Sequence, residues 1–404
     1  MAAHGPDAKT LMEIADAYGS NNYRPLPVVI ARGEGVFLYD VDDRRYMDML
    51  SAYSAVSHGH SHPRMVRALS EQAARLCVTS RAFHSDQIGP FMKELCELTG
   101  MEKVLPMNTG AEAVETAVKA ARKWGYVKKN IPAGQAEIIA FEGNFHGRTT
   151  TIVSFSSEEL YKKYFAPFTP GFKIIPYGDA GALRDAVTDN TCAVLVEAIQ
   201  GEAGVRVPPD GFLRDVRRLC DERNLLLMLD EIQTGLGRTG KMFCYEHDGI
   251  RPDVLILGKA LGGGVLPISA AVSSAEVLGV FVPGEHGSTF GGNPLACACA
   301  REALRILVED DLPGRAARLG GRLRSGLEAI KNDQIIDVRG KGLLLAVEFG
   351  PGERTARQYC EGLMAEGILA KETHGTTVRF APPLVITEEQ VDWALERITK
   401  VFAS

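Results

Sequence analysis

The chain has 404 residues, 45% of them hydrophobic, with 45 basic and 51 acidic side chains and a formal net charge of −6. That is ample apolar material for a large core and for more than one domain, and no basic stripe or charge run stands out to suggest a nucleic-acid partner. No window approaches a membrane span, and the eight scattered cysteines form no C-x-x-C pair, so they read as reduced thiols rather than a disulfide framework.

The start, Met1-Ala2-Ala3-His4-Gly5-Pro6-Asp7, has neither an apolar signal region nor an Arg/Ser-rich amphipathic stretch. A cytoplasmic protein is expected, with the mitochondrial matrix open if a transit peptide has been removed. Residues 36–40 and 45–48 read as a hairpin packed outside the main sheet. His58-Gly59-His60-Ser61-His62-Pro63 looks like a metal cluster, but no Cys or carboxylate motif accompanies it. Alternate spacing in a Gly/Pro loop fits a turn better, and no metal is expected. Residues 111–129 read as an alanine-rich helix with a cationic end at Lys128 and Lys129. Short apolar strands follow at 137–141, 192–197, 225–230, 254–257 and 268–272, with helices between several of them, for example 211–223. This alternation predicts an α/β fold with a mostly parallel sheet covered on both faces. Residues 295–331 read as a helical stretch interrupted near Pro313-Gly314. Strand-like runs at 335–349 and 375–380 and a closing helix at 387–402 complete a smaller α+β unit. The expected organisation is an N-terminal segment 1–52, a large domain 53–295 and a C-terminal domain 296–404.

In such a sheet, ligands bind at the carboxyl ends of the strands. Lys259 follows the apolar run 254–257, and Asp230 ends the run 225–229. An amine and a carboxylate there are costly to desolvate. The pairing that accounts for both is a Schiff-base lysine and an acid that keeps a pyridinium ring protonated, the apparatus of pyridoxal 5′-phosphate (PLP). Such a lysine needs its pKa lowered by burial or a nearby cation. Gly262-Gly263-Gly264 would let backbone approach a bulky cofactor. Taken singly, Lys259 reads equally well as a surface lysine and Asp230 as a helix N-cap. Gln233 could reach a ring oxygen. Asn108-Thr109-Gly110-Ala111-Glu112 opens the 111–129 helix and offers free N–H groups to a phosphate. Ser288 and Thr289, in a Gly-containing loop, offer hydroxyls to the same anion. Phe145 could stack on a planar cofactor. Arg148 could bind a substrate carboxylate through its fork, although a lone loop arginine is by default a surface ion pair. Gly235-Leu236-Gly237-Arg238-Thr239-Gly240 has dinucleotide-fingerprint glycines but lacks the strand-loop-helix context.

The run 230–240, followed by Lys259 after a strand, resembles the class III, fold-type I PLP aminotransferases, and the likeness extends over about residues 20–402. It implies a seven-stranded, mostly parallel sheet flanked by helices, plus the smaller α+β domain. Four segments, 21–27, 51–56, 199–204 and 373–384, are similar to the branch of that family acting on ornithine. The resemblance implies that Lys259 holds PLP through an imine and moves the proton, that Asp230 pairs with the pyridinium, that Phe145 stacks on the ring and that Gln233 bonds the ring oxygen. Gly110 and Ala111 would bind the phosphate. Thr289, with Ser288 beside it, would reach the cofactor phosphate of a neighbouring subunit, which implies a homodimer. Arg148 and Tyr23 would grip the ornithine α-carboxylate, and Tyr53 would shape the pocket.

The substrates this implies, L-ornithine and 2-oxoglutarate, pose a physical problem. Ornithine reacts at its terminal amine and keeps its carboxylate far from the imine; 2-oxoglutarate needs a cation close to it. Arg379 can be the near cation, and Glu202 can neutralise it while ornithine binds. A charge-assisted hydrogen bond of about 1.5–3 kcal/mol is worth roughly a factor of ten to a hundred in that choice. The alternatives are a sister enzyme acting on N-acetylornithine or 4-aminobutyrate, an aminomutase of the same fold that needs no keto acid, and a non-catalytic module.

Overall fold

A computed structural model describes residues 6–403; residues 1–5, which open the expected N-terminal segment, and residue 404 lie outside the described residues. Seven strands form the main sheet, in the spatial order Lys103–Met107, Ser269–Ser273, Val254–Leu257, Leu226–Asp230, Thr191–Val196, Glu137–Phe141, Phe172–Ile175. Ser269–Ser273 runs antiparallel to both neighbours, and the other pairings are parallel. The expected α/β class and seven-stranded sheet are met. The two edge strands are those the sequence pattern did not mark.

The central strands read as continuous apolar runs because both faces are covered. Their side chains alternate between two cores. Ile138, Ala140, Ala193, Leu195, Met228 and Ile256 pack with Ala113, Ala117 and Ala121 of the helix Gly110–Val127. Ile139, Phe141, Val194, Val196, Leu227, Leu229, Leu255 and Leu257 join the core on the other face, which continues into the C-terminal elements. Each fully buried aliphatic side chain contributes about 1.5–3 kcal/mol, so the register of these strands is strongly fixed. That register brings the residues after Met107, Phe141, Val196, Leu229 and Leu257 to one edge of the sheet.

The helix Gly110–Val127 starts with a reciprocal cap: Thr109 Oγ1 accepts from Glu112 N at 3.3 Å, and Glu112 Oε2 accepts from Thr109 N at 2.8 Å. It stops two residues short of the expected end. Lys129 Nζ instead donates to the carbonyl oxygens of Thr191 at 2.7 Å and Arg223 at 3.0 Å.

Outside the main sheet, Ile30–Glu34, Phe37–Asp40 and Arg45–Asp48 form an antiparallel ribbon, and Ile368–Leu369 adds to Arg45–Asp48 in parallel. The chain's first fifty residues are thereby tied to its last. A third sheet is antiparallel, in the order Ile335–Lys341, Leu344–Phe349, Thr377–Phe380, Lys371–Thr373. The expected helical stretch is two helices, Pro294–Glu309 and Leu312–Glu328. The break falls at Asp310-Asp311, before Pro313 rather than at it. Proline is at home in a first turn, where its missing N–H has no partner to lose. The helix Ala8–Tyr18 was not expected; none of its residues is buried.

His58 and His60 of the 58–63 loop have separate partners. His60 Nε2 lies 2.7 Å from Asp48 Oδ2, and the buried His58 Nε2 donates to Ala303 O at 2.9 Å. Burial pulls the His58 imidazole down to about 4 from its usual 6.5. The unfolded chain therefore binds more protons than the folded one between those values, so stability rises with pH through that window. Lowering the pH from 6.5 to 4 is expected to remove about 3 kcal/mol on this account. Urea unfolding at both pH values, repeated on His58→Gln, checks it: the variant should lose most of that slope.

Candidate active site

Lys259 lies two residues beyond the strand Val254–Leu257, in a short 3-10 turn, with a φ of 43°. A non-glycine residue there stores about 1–3 kcal/mol of strain, which the surrounding structure must hold. Its side chain lines a cavity of about 190 Å³ together with Gly110, Ala111, Phe145, Glu197, Glu202, Asp230 and Gln233. Burial pulls the Lys259 amine below its ordinary range, and Arg379 adds to this. Glu202 and Asp230 work against it without cancelling it. Of the three glycines after Lys259, Gly263 and Gly264 have positive φ, at 61° and 76°, and a Cβ on Gly263 would sit 2.2 Å from Met65 Cε, so Gly263 admits a neighbouring core residue.

Asp230 ends the strand Leu226–Asp230 and is 5% exposed. No helix follows it, so it is not an N-cap. Its Oδ2 lies 2.7 Å from His146 Nδ1, and its Oδ1 accepts from Ile232 N at 3.0 Å. Glu197 ends the next strand over in the same way. Burial and the charge of Asp230 push its carboxyl well above the usual range, although Phe145 N donates to it at 3.0 Å. The cavity thus holds one carboxyl with two hydrogen-bond donors on it and one that burial pushes up. Neither His146 nor Glu197 was picked out from the sequence. Glu197 carried the same signal as Asp230, a carboxylate closing a buried strand; His146 carried none beyond lying next to Phe145.

At the opposite wall, Gln233 Nε2 donates to Glu202 Oε1 at 3.1 Å, while its own Oε1 is buried with no hydrogen-bond partner. A Cβ on Gly201 would fall 1.4 Å from that oxygen, so glycine here leaves room for the Gln233 amide in this position. Arg379 Nη1 donates to Glu202 Oε1 at 2.9 Å and to Gly201 O at 3.2 Å. Burial works to raise the Glu202 carboxyl, but Arg379 and Lys259 outweigh it and hold it below the ordinary range. Tyr53 faces the same pair, with the Arg379 guanidinium 5.3 Å from its ring centroid. It is delivered by an unusual turn. Ser51, Ala52, Tyr53 and Ser54 all have positive φ, at 50°, 47°, 58° and 75°. One left-handed turn of non-glycine residues costs about 1–2 kcal/mol per residue. Asp48 Oδ1 holds its entry by accepting from Leu50 N at 2.9 Å and Ser51 N at 2.8 Å.

Arg148 and Tyr23 do not line the central cavity. Arg148 lines a separate one of about 630 Å³ with Asn21, Asn22 and Tyr161. The Arg148 guanidinium donates to Tyr23 Oη and Tyr161 Oη, each at 3.4 Å, and lies 5.3 Å from the Phe145 ring centroid. No carboxylate of the described residues forms an ion pair with it, so the surface salt-bridge reading does not hold. It is a cation fenced by aromatic rings and free to take a carboxylate. The N–H groups of Gly110 and Ala111 head the capped helix, where the helix itself offers them no acceptor. Ser288 Oγ accepts from Asn108 Nδ2 at 2.8 Å, beside that helix start; Thr289 is exposed and outside the cavity.

A strand-end lysine with a lowered pKa, a buried aspartate with its own imidazole, and a helix start open to an anion define a site for PLP. The residues present fit that group: Gln233 Oε1 and His146 Nε2 are buried polar atoms left without partners. The family model for class-III aminotransferases matches residues 18–402. The chain belongs to that family of PLP-dependent aminotransferases. It is 56% identical to an ornithine aminotransferase of Geobacillus sp. (strain WCH70), over 97% of this chain and 98% of the relative. The ornithine aminotransferase of Toxoplasma gondii, crystallised with oxidised glutathione and holding PLP at partial occupancy, superposes with a TM-score of 0.96 at 46% identity, covering 98% of this chain and 94% of that one. An acetylornithine aminotransferase from Elizabethkingia anophelis superposes with a TM-score of 0.90 at 47% identity, over 98% and 99% of the two chains.

Proposed function

We propose that this aminotransferase moves the terminal amino group of L-ornithine to 2-oxoglutarate, giving glutamate 5-semialdehyde, which cyclises to pyrroline-5-carboxylate, and glutamate. The observation that carries this reading is the Glu202–Arg379 pair at 2.9 Å in the central cavity, with a second, unpaired cation, Arg148, beyond Phe145. With Arg379 neutralised, the site disfavours a carboxylate next to the reacting amine, and the α-carboxylate of ornithine goes to Arg148 and Tyr23. When 2-oxoglutarate enters, Glu202 releases Arg379, which takes the near carboxylate while Tyr53 packs beside it.

When bound, PLP supplies an electron sink for the carbanion formed at the reacting carbon. The chain's own residues do the rest. Lys259 Nζ holds the cofactor and carries the proton between carbons. Asp230, oriented by His146, keeps the ring nitrogen charged. Phe145 covers the ring face, Gln233 Oε1 is the atom free to meet the ring substituent, and Gly110 and Ala111 bind the phosphate. Ser288 and Thr289 belong to a homodimer in this reading, with the exposed Thr289 reaching the partner's phosphate. The division into 1–52, 53–295 and 296–404 is part of the same proposal. Among the described residues no helix is long and apolar enough to cross a membrane. Eight free cysteines suit the reducing cytoplasm, where we place the enzyme.

Mixing the holoprotein with L-ornithine alone is the test. Loss of the visible absorption of the lysine-linked cofactor within one turnover supports the proposal; a spectrum that responds to N-acetylornithine and not to ornithine favours the second reading, which the 47% identical acetylornithine aminotransferase keeps open. Glu202→Ala should lower the preference for a terminal over an α-amine by about ten- to a hundred-fold, from the 1.5–3 kcal/mol of the lost charge-assisted bond. Paired rates with ornithine and glutamate as donors measure it, and an unchanged ratio rejects the switch.

A further inference from the structure

Arg238 touches neither cavity, yet it heads the largest side chains among the described residues that are wholly shielded from solvent. Its fork ends on neutral oxygens only. Nη1 donates to Leu343 O at 2.9 Å and Pro382 O at 2.6 Å, and Nη2 donates to Ser57 Oγ at 3.1 Å. No carboxylate of the described residues pairs with it directly; burial pulls the guanidinium down to about 9, and the charge of Asp48 offsets only part of this. A buried cation without a directly paired counter-charge is expensive, and an apolar side chain of the same size would fill the space at lower cost. Stability therefore does not account for an arginine here.

Its contacts do. Two of the three, to Ser57 and Pro382, join a segment that carries a residue of the substrate site. Ser57 closes the left-handed turn of Tyr53, with its Oγ 3.2 Å from Ser54 O. Pro382 stands three residues after Arg379, just beyond the strand Thr377–Phe380. Arg238 itself lies five residues after Gln233, in the loop that begins at Asp230. The same junction is laced by Leu343 N to Arg238 O at 3.0 Å, Leu384 N to Ser57 O at 2.8 Å and Ala381 N to Met49 O at 2.7 Å.

We propose that Arg238 is a positioning residue that sets Arg379 and Tyr53 against Glu202 and Gln233, and so governs binding of the keto acid's near carboxylate. Three acceptors in three segments need a rigid planar fork. A lysine keeps the charge but cannot span them, so Arg238→Lys should not rescue. The proposal rests on the two-cation reading above. It is separable from it because the keto-acid half-reaction can be started without ornithine.

The experiment reconstitutes wild type, Arg238→Lys and Ser57→Ala with pyridoxamine phosphate and follows return of the visible band against 2-oxoglutarate concentration. The half-saturating concentration should rise about ten- to a hundred-fold in Arg238→Lys, the scale of a small misplacement of a binding group. The limiting rate should change less than about threefold, and the ornithine half-reaction should stay close to wild type. Ser57→Ala, which removes one arm of the junction and spares the rest, should shift the same parameter by a smaller factor, and it decides the matter if Arg238→Lys does not fold. Unchanged half-saturation in both variants, or losses shared equally by rate, half-saturation and the ornithine half-reaction, overturns the proposal. A wild type that turns over 2-oxoglutarate normally but ignores ornithine refutes the substrate assignment and leaves the role of Arg238 to the variants.

Discussion

Lys259→Ala should abolish turnover, by at least about 10⁴-fold, the upper range for a single group that moves a proton. Three properties of Lys259 lead there. It follows a fully buried strand, burial holds its amine below the ordinary range, and its φ of 43° fixes it in a strained turn beside Asp230 and Glu202. A neutral amine near neutral pH is what covalent capture of an aldehyde requires, and water cannot substitute for it at the reacting carbon. The direction of the pKa change also fixes the pH dependence of that capture: it gains as pH rises through the lowered amine pKa and is lost below it. Single-turnover absorbance with ornithine measures both. A variant that keeps more than about one part in a hundred of the wild-type rate would remove Lys259 from the reaction.

Asp230→Ala should cost the next largest amount. Removing one partner of a buried charged pair typically costs about 3–5 kcal/mol, a factor of roughly a hundred to several thousand. Here the loss falls on two groups, the ring nitrogen of PLP and His146, whose Nδ1 lies 2.7 Å from the carboxylate. The neighbouring Glu197 is no substitute, because burial, the main cause that pushes its carboxyl up, remains when Asp230 is gone. Equilibrium dialysis for cofactor retention and single-turnover rates for the reaction separate the two effects. Asp230→Glu, which keeps the charge, should recover part of both. A loss under about tenfold in each would mean that Asp230 orders the loop and does not charge the ring.

The sequence made Lys259 and Asp230 legible because each interrupts an apolar run that must be buried, and a charge at such a place has few structural excuses. The same physics made the sheet legible: runs such as 226–229 and 254–257 occur where both faces are covered. Edge strands such as Phe172–Ile175 are only partly buried and lack that signature. Other features depend on contacts made far away in the chain. The left-handed turn 51–54 is held by Asp48 and by the segment after Arg379, and nothing local in Ser-Ala-Tyr-Ser calls for positive φ. The glycine at 263 has its cause in Met65, distant in sequence. Arg238 looked like part of a glycine-rich loop, and its meaning lies in acceptors at 57, 343 and 382.

The central claim is a covalent one: the cofactor is carried on the ε-nitrogen of Lys259. Borohydride reduction of the holoprotein fixes that bond, and proteolysis with mass spectrometry locates it. A single tagged peptide containing Lys259 is the expected result; a tag on any other lysine, or no tag on a protein that still transaminates, contradicts the account.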